Sequence, residues 1–271
     1  MRCTGMHGAG NSFYIINNID SALSEEECRR LAVKLCSPVF GKRTDGLIAV
    51  TRADDADFGM LFINSDGAFG EMCGNGARCL ARYGVETGLS SNAENIRIKA
   101  AAGIVTGRRI DRETYEVRLN DPAVIIPRTE ACGEVCSYIE LGNPGIPHAV
   151  IMTEPSALDD MDTLRITGRK VRNFEGFKKG ANVTFAALTG PASVKAATFE
   201  RGVEDFTLAC GTGCGAVAAA FAANNIISGN SLEIEMPGGR LSVRFKKEGM
   251  NIRDIYLTGP TAVTCEFDTE I

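Results

Sequence analysis

Two tetrapeptides carry the residue types in this chain most able to do chemistry. Residues 73–76 read Cys-Gly-Asn-Gly and residues 210–213 read Cys-Gly-Thr-Gly, about half of the 271-residue chain apart. Each follows a β-rich run and opens an apolar segment with helical spacing. A helix start offers unpaired N–H groups and the positive end of the helix dipole. That suits a bound carboxylate or phosphate and favours the thiolate form of a cysteine placed there. Flanking glycines let a ligand approach the backbone closely. Two facing domains of this kind would set two sulfurs on opposite sides of one bound anion. If that anion is an α-amino acid, one thiolate can remove the α-proton while the opposite thiol returns one to the other face. The centre inverts without a cofactor, and the thiols titrate as a coupled pair, one ionised and one neutral.

Other chemistries fit less well. A redox pair would use a Cys73–Cys210 disulfide as a switch, but neither site has the Cys-x-x-Cys of dithiol enzymes. Metal binding through Cys73 with Cys79, Cys132 with Cys136, or Cys210 with Cys214 misses zinc-site spacing, with only His7 and His148 to join, so no metal is expected. Gly8-Ala9-Gly10 is followed by neither a Walker lysine nor a third glycine, and nothing marks a pyridoxal phosphate site.

The elements that must position these residues are many short strands and few helices. Strand patterns cover Phe58–Asn64, Ile96–Ala100, Tyr115–Leu119, Val194–Glu200 and Leu241–Phe245, the last joined to Leu232–Met236 as a hairpin through Pro237-Gly238-Gly239. Ser24-Glu25-Glu26-Glu27 is a capping box for a helix that stops before Pro38. Helical spacing also marks Asn75–Glu86, Thr163–Arg172 and Gly213–Ile227, the last apolar on every side and so expected inside the protein.

Composition sets the outer bounds. With 44% hydrophobic and 23% charged residues the chain can bury a core, and at 271 residues it suits two domains. The longest apolar run, Ala216–Ala223, is far short of the ~20 residues of a membrane span. A net charge of −5 with no basic run argues against nucleic acid or anionic membrane as partner. Ten cysteines with no secretory signal in view point to reduced thiols and a cytoplasmic enzyme.

At this point the residues resemble those of the diaminopimelate epimerase family, cofactor-independent two-cysteine enzymes that interconvert LL- and meso-diaminopimelate. The resemblance runs along the whole chain, through His7-Gly8-Ala9-Gly10-Asn11-Ser12-Phe13, Thr44-Asp45-Gly46, Phe62-Ile63-Asn64-Ser65-Asp66-Gly67 and Cys73-Gly74-Asn75-Gly76-Ala77-Arg78-Cys79. It continues through Gly142-Asn143-Pro144, Gly180-Ala181-Asn182-Val183, Phe199-Glu200-Arg201-Gly202 and Ala209-Cys210-Gly211-Thr212-Gly213. It implies an α+β fold of two similar domains, each a curved, mainly antiparallel sheet wrapped around a central helix, with the active site between them. The first domain would hold residues 1–118 with about 256–271, and the second 119–255. By matching motif, Cys73 and Cys210 would be the acid/base thiols. Asn11, Gly74, Asn75, Gly211 and Thr212 would hold the reacting α-carboxylate and amine, and Asn64, Asn143, Asn182, Glu200 and Arg201 would read the distal amino-acid end. No cofactor is implied. The partners expected are a small-molecule amino acid and, at most, a second copy of the chain as a homodimer.

The sequence departs from the family in places. Gly145-Ile146-Pro147 separates Pro144 from His148 where the family usually reads Gly-Asn-Pro-His, which leaves the placement of Asn143 open. Ser12 stands where aspartate is common, Gly46 replaces a glutamine seen in part of the family, and Phe206 replaces a frequent acidic residue, so an aromatic ring is expected to narrow or reshape the pocket. A racemase of lanthionine, histidine or proline on the same scaffold is therefore the nearest alternative. A redox-switch or ligand-binding protein using a Cys73–Cys210 disulfide is the alternative from another class.

Overall fold

The computed structural model of the chain describes residues 1–40, 44–70 and 73–270. They divide into two compact units, one of Met1–Val117 with Gly259–Ile271 and one of Arg118–Thr258.

In the first unit the strands are β1 (Arg2–Gly8), β2 (Asn11–Asn17), β3 (Gly46–Thr51), β4 (Phe58–Asn64), β5 (Phe69–Gly70), β6 (Ile96–Ala100), β7 (Gly103–Arg109) and β8 (Thr114–Arg118). A strand from the chain's end, Ala262–Asp268, flanks β1. Neighbours pair antiparallel except β2 with β3 and β4 with β6, which run parallel. A short helix, α1 (Asn18–Ser21), leads to α2 (Glu25–Leu35), and α3 (Gly74–Glu86) follows β5. The capping box on α2 forms as expected: the Glu27 amide donates to the Ser24 hydroxyl while the Glu27 carboxylate takes the Ser24 amide. Cys28, Leu31, Ala32 and Leu35 bury one stripe of this helix against Leu47, Ala49 and Ile63.

The second unit repeats the plan with β9 (Pro122–Ala131), β10 (Glu134–Leu141), β11 (Ile146–Met152), β12 (Asn182–Gly190), β13 (Ser193–Glu200), β14 (Asp205–Phe206), β15 (Ser231–Met236), β16 (Gly239–Glu248) and β17 (Asn251–Pro260). The terminal strand Ala262–Asp268 is then β18. The parallel pairs recur at the same places, β11 with β12 and β13 with β15. α4 (Met161–Arg172) takes the place of α2, and α5 (Gly211–Ala223) that of α3. The duplication is exact down to register. Leu141 pairs Ile146 as Gly8 pairs Asn11, and His148 pairs Asn182 as Phe13 pairs Gly46.

α3 and α5 each sit inside their own sheet, α3 touching β1, β2, β4, β6 and β7, and α5 touching β9 to β12, β15 and β16. All of α5 except Thr212 is buried, which is why its sequence carries no polar face. It ends at Ala223, short of the expected Ile227. Asn225 adopts a left-handed backbone (φ 54°) and its amide bonds back to Ala222, a conformation that asparagine tolerates and that unwinds the last turn. No helix among the described residues is long and apolar enough to cross a membrane.

Candidate active site

Both cysteines occupy the N-cap position of a central helix, where a serine or aspartate is usual. Cys73 is extended, and its sulfur accepts from the Gly76 amide at 3.4 Å. Cys210 does the same with the Gly213 amide at 3.3 Å, and its Sγ lies 3.6 Å from the Thr212 hydroxyl. The surroundings then diverge. Cys73 is half-buried, whereas Cys210 is only 6% exposed. Burial pushes the Cys210 thiol well above its ordinary pKa, the nearby Glu200 charge adds to this, and the Thr212 and Gly213 bonds only partly oppose it. At Cys210 the helix start therefore does not yield a resting thiolate, because desolvation outweighs the dipole. Cys79, buried one turn into α3, is pushed up to about 12 by burial and behaves as a core residue.

In the first unit Gly74 and Asn75 follow Cys73 on α3, and Asn11 joins them through Asn75. Asn75 is nearly fully buried, and its side-chain amide donates to the Asn11 carbonyl oxygen across from the start of β2. Asn64 closes β4 and donates to the Ala68 carbonyl at 3.1 Å.

The second unit gathers Asn182, Glu200, Arg201, Gly211 and Thr212 with Cys210. The Arg201 amide donates to Asn182 Oδ1 at 2.8 Å, the Thr207 hydroxyl donates to Glu200, and the Arg201 guanidinium donates to the Lys179 carbonyl at 2.9 Å. Asn143 is exposed in the turn of residues 142–145 between β10 and β11. The added residues lengthen that turn relative to Ala9-Gly10, its counterpart in the first unit, and leave the strand register intact. The Phe206 ring is partly buried and packs on Phe199 at 5.8 Å and Phe185 at 6.1 Å, with the Arg165 guanidinium over it, against the core beside α4.

Comparing the repeats position by position separates what they share from what they do not. Shared are the cysteine, the glycines and the N-terminal amides of the helix. Different are Gly46 and Asn182, Asn64 and Glu200, Ser65 and Arg201, Phe13 and His148, and Asn11 and Ile146, each pair equivalent by register. Of these five pairs, the charged members Glu200 and Arg201 lie in the second unit, while the first unit has its own buried charge in Arg78 on α3. His148, weighed in the sequence only as a metal partner, takes a different place. It is fully buried beside Asn182, and neither ring nitrogen has a hydrogen-bond partner among the described residues. Burial, with Arg201 nearby, lowers its pKa to about 3 and keeps it neutral. Among the described residues no three His, Cys, Asp or Glu side chains gather as a metal site.

The family model for diaminopimelate epimerase matches residues 3–124 and 141–264, a span that includes both cysteines and every residue set out above. The chain belongs to the diaminopimelate epimerase family. The enzyme of that name from Archaeoglobus fulgidus is 34% identical over 94% of this chain and 91% of its own length. The one from Methanothrix thermoacetophila is 34% identical over 96% and 92%. Among solved structures, a phenazine biosynthesis protein of the PhzF family from Bacillus anthracis superposes with a TM-score of 0.76 at 16% identity, covering 100% of this chain and 99% of that one. A hydroxyproline epimerase from Agrobacterium vitis gives 0.69 at 16% identity, covering 98% and 90%. These likenesses show that the chain shares its two-domain α+β fold with those two proteins.

Proposed function

We propose that this family member epimerises diaminopimelate between its LL and meso forms, with Cys73 and Cys210 as the two acid/base groups and no cofactor. The observation that carries the reading is the repeated N-cap cysteine on a buried helix, in a chain whose relatives bear that name. One thiolate takes the α-proton, leaving a carbanion whose charge passes into the α-carboxylate. The other thiol gives its proton to the opposite face, so atoms balance and the two sulfurs end with their roles exchanged. Burial and the Glu200 charge both favour the neutral form of Cys210, which suits that thiol to the donor role.

The pattern of shared and differing positions supports an assignment of substrate ends. The features common to both units, the amides of Gly74-Asn75 and Gly211-Thr212, serve the reacting α-carboxylate. The differing positions Asn182, Glu200 and Arg201, with Asn64, serve the distal end, where Arg201 can fork onto a carboxylate and Glu200 can accept from an ammonium. Asn143 takes part from its turn. A substrate with a second zwitterionic end fits this set better than proline or histidine, which carry none.

The test is a substrate panel. Reduced protein is incubated in deuterium oxide with LL-diaminopimelate, lanthionine, histidine or proline, and the α-proton signals are followed by NMR. Exchange of diaminopimelate in preference to the rest is expected. Exchange of proline or histidine with none of diaminopimelate would overturn the substrate assignment.

A further inference from the structure

We propose that Glu140, a residue no motif singles out, is a positioning residue for the distal end of the substrate. The proposal rests on the reading above that Arg201 binds the distal carboxylate. Glu140 is the next-to-last residue of β10, and both of its carboxylate oxygens are engaged. Oε1 accepts from the Tyr138 hydroxyl at 2.6 Å, and Oε2 from Lys179 Nζ at 3.1 Å. The Lys179 carbonyl in turn receives the Arg201 guanidinium at 2.9 Å. The Glu140–Lys179 pair thus tethers the residue whose carbonyl receives Arg201.

The turn that carries Asn143 packs against the same side chain. A Cβ on Gly145 would come within 2.6 Å of both Glu140 Cβ and Oε2, so the turn lies directly on the Glu140 side chain and only glycine fits there. One residue therefore ties together β10, the segment before Asn182 and the turn between β10 and β11. Tyr138 stacks on Phe177 at 4.6 Å, Phe177 meets Phe174 edge-on, and these rings line a cavity of about 490 Å³ together with Glu140 and Lys179.

The chemistry gives Glu140 no part in proton transfer, so its loss acts on substrate binding alone. Glu140→Gln keeps the side-chain volume and an acceptor for Tyr138 but removes the charge that holds Lys179. A half-exposed ion pair of this kind has a modest strength, so KM for diaminopimelate should rise about three- to fivefold with kcat within a factor of two. In an Arg201→Met background the same change should add nothing further, because its effect passes through Arg201. The NMR signal of the Arg201 side-chain Nε–H in the ligand-free protein should shift in Glu140→Gln, and this readout does not need turnover. Far-UV circular dichroism and the melting temperature establish that the variant is folded. Unchanged KM, an equal penalty in both backgrounds, or an unmoved Arg201 signal would each overturn the proposal. A wild-type protein that leaves diaminopimelate untouched would overturn the functional reading instead, and the Arg201 signal would still decide whether Glu140 positions that side chain.

Discussion

Gly213 and Gly76 are equivalent positions in the two repeats, each donating its amide to the cysteine three residues earlier, yet the structure makes them unequal. A Cβ on Gly213 would lie 2.8 Å from Thr198 Oγ1 and 3.2 Å from both Cβ and Sγ of Cys210. Thr198 is fully buried and shares a hydrogen bond of 3.0 Å with buried Thr184. Making room must displace the Cys210 sulfur or break that bond. Losing a buried hydrogen bond costs about 1–3 kcal/mol, and overpacking a tight core costs a similar amount. Replacing glycine within a helix returns about 0.5–1 kcal/mol. The net for Gly213→Ala is a loss of about 2 kcal/mol, a fall of roughly 4–8 °C in melting temperature. A sulfur moved by a few tenths of an ångström should also lower kcat about tenfold or more. At Gly76 the nearest atom is Ile48 Cδ1 at 3.1 Å, the free end of a flexible chain, so Gly76→Ala should fall within about 1 kcal/mol of wild type. Thermal melts and α-proton exchange rates on the two variants decide the matter. A Gly213→Ala protein as stable and as active as Gly76→Ala would refute the reasoning.

Three further outcomes follow. Cys73→Ser and Cys210→Ser should each lower epimerisation at least a thousandfold, since one face of the α-carbon loses its acid or base, and full activity in either would remove that thiol from the mechanism. Glu200→Gln should speed alkylation of Cys210 by iodoacetamide at pH 8, read by peptide mass spectrometry, because removing the nearby negative charge lets the thiol ionise more readily. His148 has a folded-state pKa of about 3, depressed below its unfolded value near 6.5, so protonation favours the unfolded chain. Its share of stability is whole above pH 6.5 and drains away at up to about 1.4 kcal/mol per pH unit as pH falls toward 3. A His148→Phe variant should therefore lose less stability between pH 6 and pH 4 in urea melts than wild type, and parallel losses would contradict this.

The parts of the molecule legible in sequence were those decided by neighbours along the chain. The Ser24 capping box, the Pro237-Gly238 hairpin and the all-apolar α5 each announce themselves through a few adjacent residues, and each is found. The paired Cys-Gly-x-Gly motifs are visible because a helix start needs only local chemistry. What was hidden depends on residues far apart in the chain. The high pKa of Cys210 arises from burial under its own unit and from Glu200, neither of which a helix N-terminus reveals. Phe206 faces the core because β14 pairs with β13 at Phe199, a register that the sequence around Phe206 does not show. Glu140 gains its place only when Tyr138, Lys179 and the Gly145 turn converge on it.

The central claim is that two thiols work on one α-carbon, and the label pattern of a single turnover tests it most directly. LL-diaminopimelate is given to the reduced protein in deuterium oxide, and the reaction is stopped at low conversion. With separate donor and acceptor thiols, the meso product should carry deuterium at the inverted centre while the remaining LL substrate stays protiated. Equal early labelling of substrate and product, or inversion that survives loss of either cysteine, would contradict the account.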